Sequence, residues 1–149
     1  MRPFKDEEEA YAWCISEGNL IPQMEINLGR VKSNLSIAQE NLESAKDSVL
    51  KKRWNTAYQL YYDVIHQLVE SLLIFDKVKS TNHQCLFASL CVKHPELELS
   101  WDFFEKIRTK RNGMNYYGAP VQDKDWKEVG LQFELYINLL TKEIKKRLE

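Results

Sequence analysis

Apolar residues recur at alternating spacings of three and four from Leu28 through Val31, Leu35, Ala38, Leu42, Ala45 and Val49. One side of a continuous helix from about Met24 to Lys51 is therefore apolar, the pattern of a helix packing nearly parallel to its neighbours. A second register, Trp54, Ala57, Tyr61, Val64, Leu68, Leu72 and Phe75, predicts another long helix over about Arg53 to Lys77. So little chain separates the two that only an antiparallel hairpin or one kinked helix can join them.

The remaining segments read the same way. Residues 6–17 predict a short helix, with Asp6 to Glu9 against the positive end of its dipole and Ala10, Trp13 and Cys14 on one face. Gly18, Asn19 and Pro22 end it. Ser80, Thr81 and Asn82 offer N-caps for a helix over His83 to Lys93, closed by Pro95. Ser100 caps the next, whose stripe is Trp101, Phe104, Ile107, Arg111 and Met114, and Gly118 and Pro120 end it. Asp125 with Glu128 has the spacing of a capping box for a last helix, with Trp126, Val129, Phe133, Tyr136, Leu140, Ile144 and Leu148 in register. No alternating strand pattern competes. The expected fold is all-α, an antiparallel up-and-down bundle of about four main helices plus short ones. It forms one domain over residues 1–149, with 1–22 a short helical extension.

Composition narrows the function more than the fold. Five Gly and four Pro in 149 residues are few for a protein of short strands and turns. Twenty-one Lys plus Arg against 22 Asp plus Glu leave a formal charge of -1, so no whole-molecule field draws nucleic acid and any basic site is local. Cys14, Cys85 and Cys91 are odd in number and form no CxxC pair, which signals neither a disulfide framework nor a zinc knuckle. They are expected as buried thiols of a reducing cytoplasm. The acidic start MRPFKDEEE is unlike a signal peptide, and the richest apolar run, LVESLLIF, is broken by Glu70 and too short for a bilayer. A cytoplasmic location, no membrane partner, no metal and no cofactor are the resulting expectations.

The anomaly is Arg111, an arginine on an apolar stripe, which must pair, snorkel or face a cleft. The surrounding KIRTKRN concentrates four cations in the second half of its helix. Two readings stand open. One is dipole complementarity plus a structural ion pair with Asp63 or Glu70. The other is an anion site in which Arg108 and Arg111 grip phosphate while Asn112, Asn115, Tyr116 and Tyr117 supply neutral donors and stacking rings. His66 shares a helix face with Asp63 and Glu70, which suits an oriented base or half a metal site, although a structural cluster explains it more simply. His83 sits at a helix start and His94 before Pro95. Neither forms a Ser-His-Asp or HExxH pattern, and Gly113 with Gly118 is no phosphate loop. Asp123, Asp125 and Glu128 read as helix-start acids; Tyr58, Tyr61 and Tyr62 read as core and groove wall. Trp101, Phe103 and Phe104 crowd one short helix more densely than a single core stripe needs, which predicts that a second copy docks on the face carrying Arg111.

The paired long helices, the segments AYQLYYDVIHQLVESLLIF and STNHQCLFASL, and the late KIRTKRNGMNYYG together resemble the HEPN domain over about residues 24–148. This is a helical bundle found in prokaryotic nucleotidyltransferase operons and defence systems, and the leading tryptophan-bearing helix is similar to an extension of archaeal members. Active HEPN ribonucleases carry an Arg, a polar residue after it, and a His four to six residues on from the Arg, at a dimer interface. Here Arg111 and Asn112 match, but Tyr116 and Tyr117 occupy the histidine slot and no histidine follows His94. Tyrosine, with an ordinary pKa near 10 against about 6.5 for histidine, is a poor general base at neutral pH. The resemblance therefore implies a homodimeric module that binds a nucleotide or RNA, or docks a small nucleotidyltransferase, without the usual catalytic histidine. Its alternative is a divergent, metal-independent ribonuclease toxin of a toxin-antitoxin or defence system. Such a toxin would use Arg111 with Tyr116, Tyr117 or a histidine from elsewhere in the dimer.

Overall fold

In a computed structural model that describes residues 3–149, helices carry most of the chain. They are α1 (Glu7–Ser16), α2 (Leu28–Leu50), α3 (Trp54–Phe75), α4 (His83–Lys93), α5 (Trp101–Tyr117) and α6 (Asp123–Leu148), with a single 3-10 turn at Pro95–Leu97. The fold is all-α, as expected. α2 and α3 form the hairpin rather than a kinked helix, because Lys52 adopts a left-handed φ of 55° and reverses the chain at once. Side chains bridge the two, Arg30 to Glu70 at 2.8 Å and Asn34 to Ser71 at 3.2 Å near the start of α2, and Asn41 to Gln67 at 3.4 Å further along α2 but earlier on α3. α6 follows α3 in the same sense, from Tyr61–Glu134 at 2.6 Å to Asp76–Arg147 at 3.8 Å. α5 runs against α6, from Phe103 beside Tyr136 to Lys110 beside Asp125. The four long helices thus alternate in direction.

The seam of α2 is buried at Val31, Ala38 and Ala45, while Leu28, now the first helical residue, stands half-exposed. Burial of α3 is broader, taking in Tyr58, Tyr61, Tyr62, Val64, Ile65, Leu68 and Leu72. Packing against α2, α4, α5 and α6 leaves it little free surface. Trp101, Phe103 and Phe104 point into this same core, where Phe104 stacks on Phe87 at 4.6 Å and Phe103 meets Tyr136 at 4.8 Å. Their density therefore gives no ground for a dimer face: α5 fits between α4 and α6, and one short helix fills two contacts.

Two further expectations fail. Leu20–Pro22 (β1) and Val78–Ser80 (β2) pair as antiparallel strands, from Leu20 opposite Ser80 to Pro22 opposite Val78. Three residues are too few to show an alternation in sequence. Cys14 and Cys85 are joined by a disulfide across 71 positions, with Cα atoms 5.8 Å apart, so only Cys91 remains a buried thiol, its pKa pushed up to about 12 by burial. Parity and spacing along the chain do not register that α1 lies on α4. The last capping box also lies three residues earlier than expected: Gln122 is the N-cap and Asp125, not Glu128, is the acid that returns to it, accepting from the Gln122 amide at 2.8 Å, so α6 begins at Asp123.

Asn82 caps α4 as its sequence promised, accepting from the Cys85 amide at 2.8 Å. Asn82→Ala is expected to cost about 1 kcal/mol in urea unfolding, the usual worth of such a cap.

Candidate functional site

β2 returns the chain so that α4 starts beside the middle of α3, in the same sense as α3: Tyr62 meets His83, and Asp76 meets His94 further along. α5 then lays KIRTKRN over this junction. The segment lies in mid-helix, since α5 continues to Tyr117 and carries no basic residue in its last turn. A dipole role is thereby removed for these cations, because that effect is confined to the terminal turn.

Each cation has a different environment. Lys110 pairs with Asp125 at 3.1 Å. Arg108 is buried and its guanidinium forks onto Glu105, at 3.0 and 2.9 Å, while Gln84 donates to the same carboxylate at 3.2 Å. Arg111 lies 5.3 Å over the ring of Tyr62, a cation–π contact. Its Nε is buried without a hydrogen-bond partner. Neither carboxylate considered for it makes an ion pair with it: Glu70 holds Arg30 at 2.8 Å, and Asp63 accepts from Gln59 at 3.0 Å and feels the Arg111 charge only at longer range. Among the described residues Arg111 has no ion-pair partner.

Arg111 opens on a cleft of about 810 Å³ lined also by Arg108, Asn112, Tyr116, His83 and Trp13. The structure thus brings Arg108, Arg111, Asn112 and Tyr116 to one site. Asn115 and Tyr117 are exposed and lie outside it, Tyr117 at 83%.

The histidines complete the site. His66 does not turn to Asp63 or Glu70; its ring sits 4.2 Å from that of His83. His83 Nδ1 is 2.9 Å from the Tyr62 hydroxyl, a hydrogen bond whose direction follows the tautomer. Burial, and for each ring the nearby Arg111 charge, depress both imidazoles to about 4, with His83 lowered further by His66. Burial also pushes the Tyr62 phenol up, although Arg111 and Arg108 pull the other way. At neutral pH the site therefore holds neutral imidazoles, a protonated phenol, and one guanidinium with no carboxylate in ion-pair contact among the described residues. Chemically, such an arrangement offers donors to an anion, and Tyr116 and Trp13 line the same opening.

The pairing of His66 with His83 was not legible in sequence, since it depends on where β2 sets down α4. Trp13 as a cleft wall depends likewise on the docking of α1. Comparison with known protein families, characterised proteins and solved structures finds no match for this chain.

Proposed function

We propose that this chain is a HEPN-like helical bundle whose Arg111 cleft binds a phosphate group of a nucleotide or RNA. The observation that supports it is the Arg111 guanidinium, which opens on the cleft with no carboxylate within ion-pair distance among the described residues. A half-buried charge is costly to leave without a partner, and a phosphate in the cleft would accept from the amino groups of the guanidinium that face the opening. Arg108 contributes as a fixed cleft wall, its charge already met by Glu105. The same reading includes pairing with a second copy or docking of a small nucleotidyltransferase, and light scattering at micromolar concentration showing a monomer would remove the first of these.

Arg111→Met separates binding from folding. The melting temperature is expected to hold or rise slightly, because the substitution also removes a desolvation cost. Binding of inorganic phosphate and of mononucleotides, followed by NMR titration, is expected to vanish. A loss of several kcal/mol in stability would identify Arg111 as a structural ion-pair partner and reject the cleft reading.

His66 and His83 favour the ribonuclease alternative as a second reading. Metal-independent cleavage needs one group to take the 2′-hydroxyl proton and another to protonate the leaving oxygen, and these imidazoles stand next to Arg111 although the α5 histidine slot holds Tyr116. RNA cleavage in chelator, lost in both Arg111→Ala and His83→Ala, would put this reading first.

A further inference from the structure

A second cleft, of about 390 Å³, opens between the start of α2, the middle of α3 and β2, and it shares Asn82 and His83 with the Arg111 cleft. Its chemistry is different. Leu73, Ile74, Val78 and Leu86 give it an apolar floor. Its formal charges cancel: Arg30 is held by Glu70 at 2.8 Å, and the other two charged residues of the lining, Lys79 and Glu25, are of opposite sign. No net charge remains to call in an anion. What faces the opening is neutral and polar. His66 lines it, and among the described residues neither ring nitrogen of His66 has a hydrogen-bond partner. Asn27 and Asn82 each spend their carbonyl oxygen on a helix cap, which leaves their Nδ2 donors unspent at the same opening.

An apolar floor bordered by a few neutral donors and acceptors suits a flat heteroaromatic ring whose faces are apolar and whose edge is polar. The volume falls within the range of small-ligand pockets, about 300–1,000 Å³. Because the two clefts meet at His83, we propose that they form one bipartite site for a nucleoside monophosphate. Its base occupies the His66 cleft, its sugar crosses Asn82 and His83, and its phosphate meets Arg111. The ligand is either a free mononucleotide or the terminal nucleotide of an RNA strand. This inference rests on the phosphate reading of the Arg111 cleft and adds the base site to it.

The test compares inorganic phosphate, ribose 5-phosphate, AMP, CMP and a short 5′-phosphorylated oligoribonucleotide, titrated into the full chain. A mononucleotide is expected to bind on the order of tenfold more tightly than ribose 5-phosphate, the gain a single well-seated base provides. His66→Ala is expected to close that gap, so that mononucleotides and ribose 5-phosphate bind this variant equally; Arg111→Met is expected to abolish binding of all of them. In the unmodified protein, the ring protons of His66 should shift on adding a mononucleotide and not on adding phosphate, a readout that needs no variant to fold. Tighter binding of the oligoribonucleotide than of AMP or CMP would assign the site to a strand end, and the reverse to a free nucleotide. Equal affinity for ribose 5-phosphate and mononucleotides, with phosphate binding still dependent on Arg111, would overturn the base site and leave the phosphate cleft standing. Absence of any phosphate binding would remove both.

Discussion

Replacing Cys14 and Cys85 together by alanine is expected to lower the unfolding free energy by about 4 kcal/mol, the loop-closure worth of a cross-link spanning 71 positions. Both side chains are fully buried, so alanine adds no polar group to be desolvated. Urea unfolding of the oxidised protein, of the reduced protein and of the double variant checks the value. The reduced protein should fall with the variant. A difference below about 1 kcal/mol between oxidised and variant forms would mean that the cross-link constrains little of the unfolded chain. The same bond fixes one wall of the Arg111 cleft. Trp13 precedes Cys14, and His83 and Gln84 precede Cys85, so the covalent link lies directly behind three residues that line the opening.

What the sequence made legible is what repeats along a helix. The alternation from Val31 to Val49 placed α2, and the shared register of Trp54 to Phe75 placed α3, because burial of one face is a property of the local 3.6-residue period. Caps at Asn82 and Ser100 were equally local, each satisfying an amide three residues on. Features that depend on which helix lies against which were not legible. Phe103 and Phe104 are one residue apart, and only the presence of both α4 and α6 lets them bury in different directions. Cys14 and Cys85 meet because α1 docks on α4, and His66 meets His83 because a three-residue strand sets the start of α4 beside mid-α3. Arg111 lies between these cases. Its place on an apolar stripe marked it as anomalous in sequence, and the structure supplies the reason it is tolerated there: the Tyr62 face below it and the open cleft beside it.

The second large effect is a loss of stability in mild acid, carried by the two histidines of this site. His66 and His83 have their pKa depressed to about 4 in the folded protein, against an ordinary value near 6.5 in the unfolded chain. Between these values the unfolded chain binds protons that the folded one refuses, so unfolding becomes easier as pH falls. Stability from these groups is fully present above pH about 6.5, declines as pH drops toward 4, and levels below it. Water reaches both rings in part, so the pair together is expected to cost roughly 3–4 kcal/mol across that window rather than the full sum of the shifts. Asp63, whose pKa is raised mainly by burial, opposes the trend, since its folded state gains relative stability when protonated. The Arg111 guanidinium, over the Tyr62 ring, disfavours a second cation beside it. The double variant His66→Gln, His83→Gln should flatten the pH dependence of urea unfolding between 4 and 6.5, and an unchanged slope in that variant would locate the acid sensitivity elsewhere. Phosphate should act in the same direction by another route: burial does most to depress both imidazoles, but an anion on Arg111 offsets the part due to its charge, so the slope in the unmodified protein is expected to fall in part as phosphate is added.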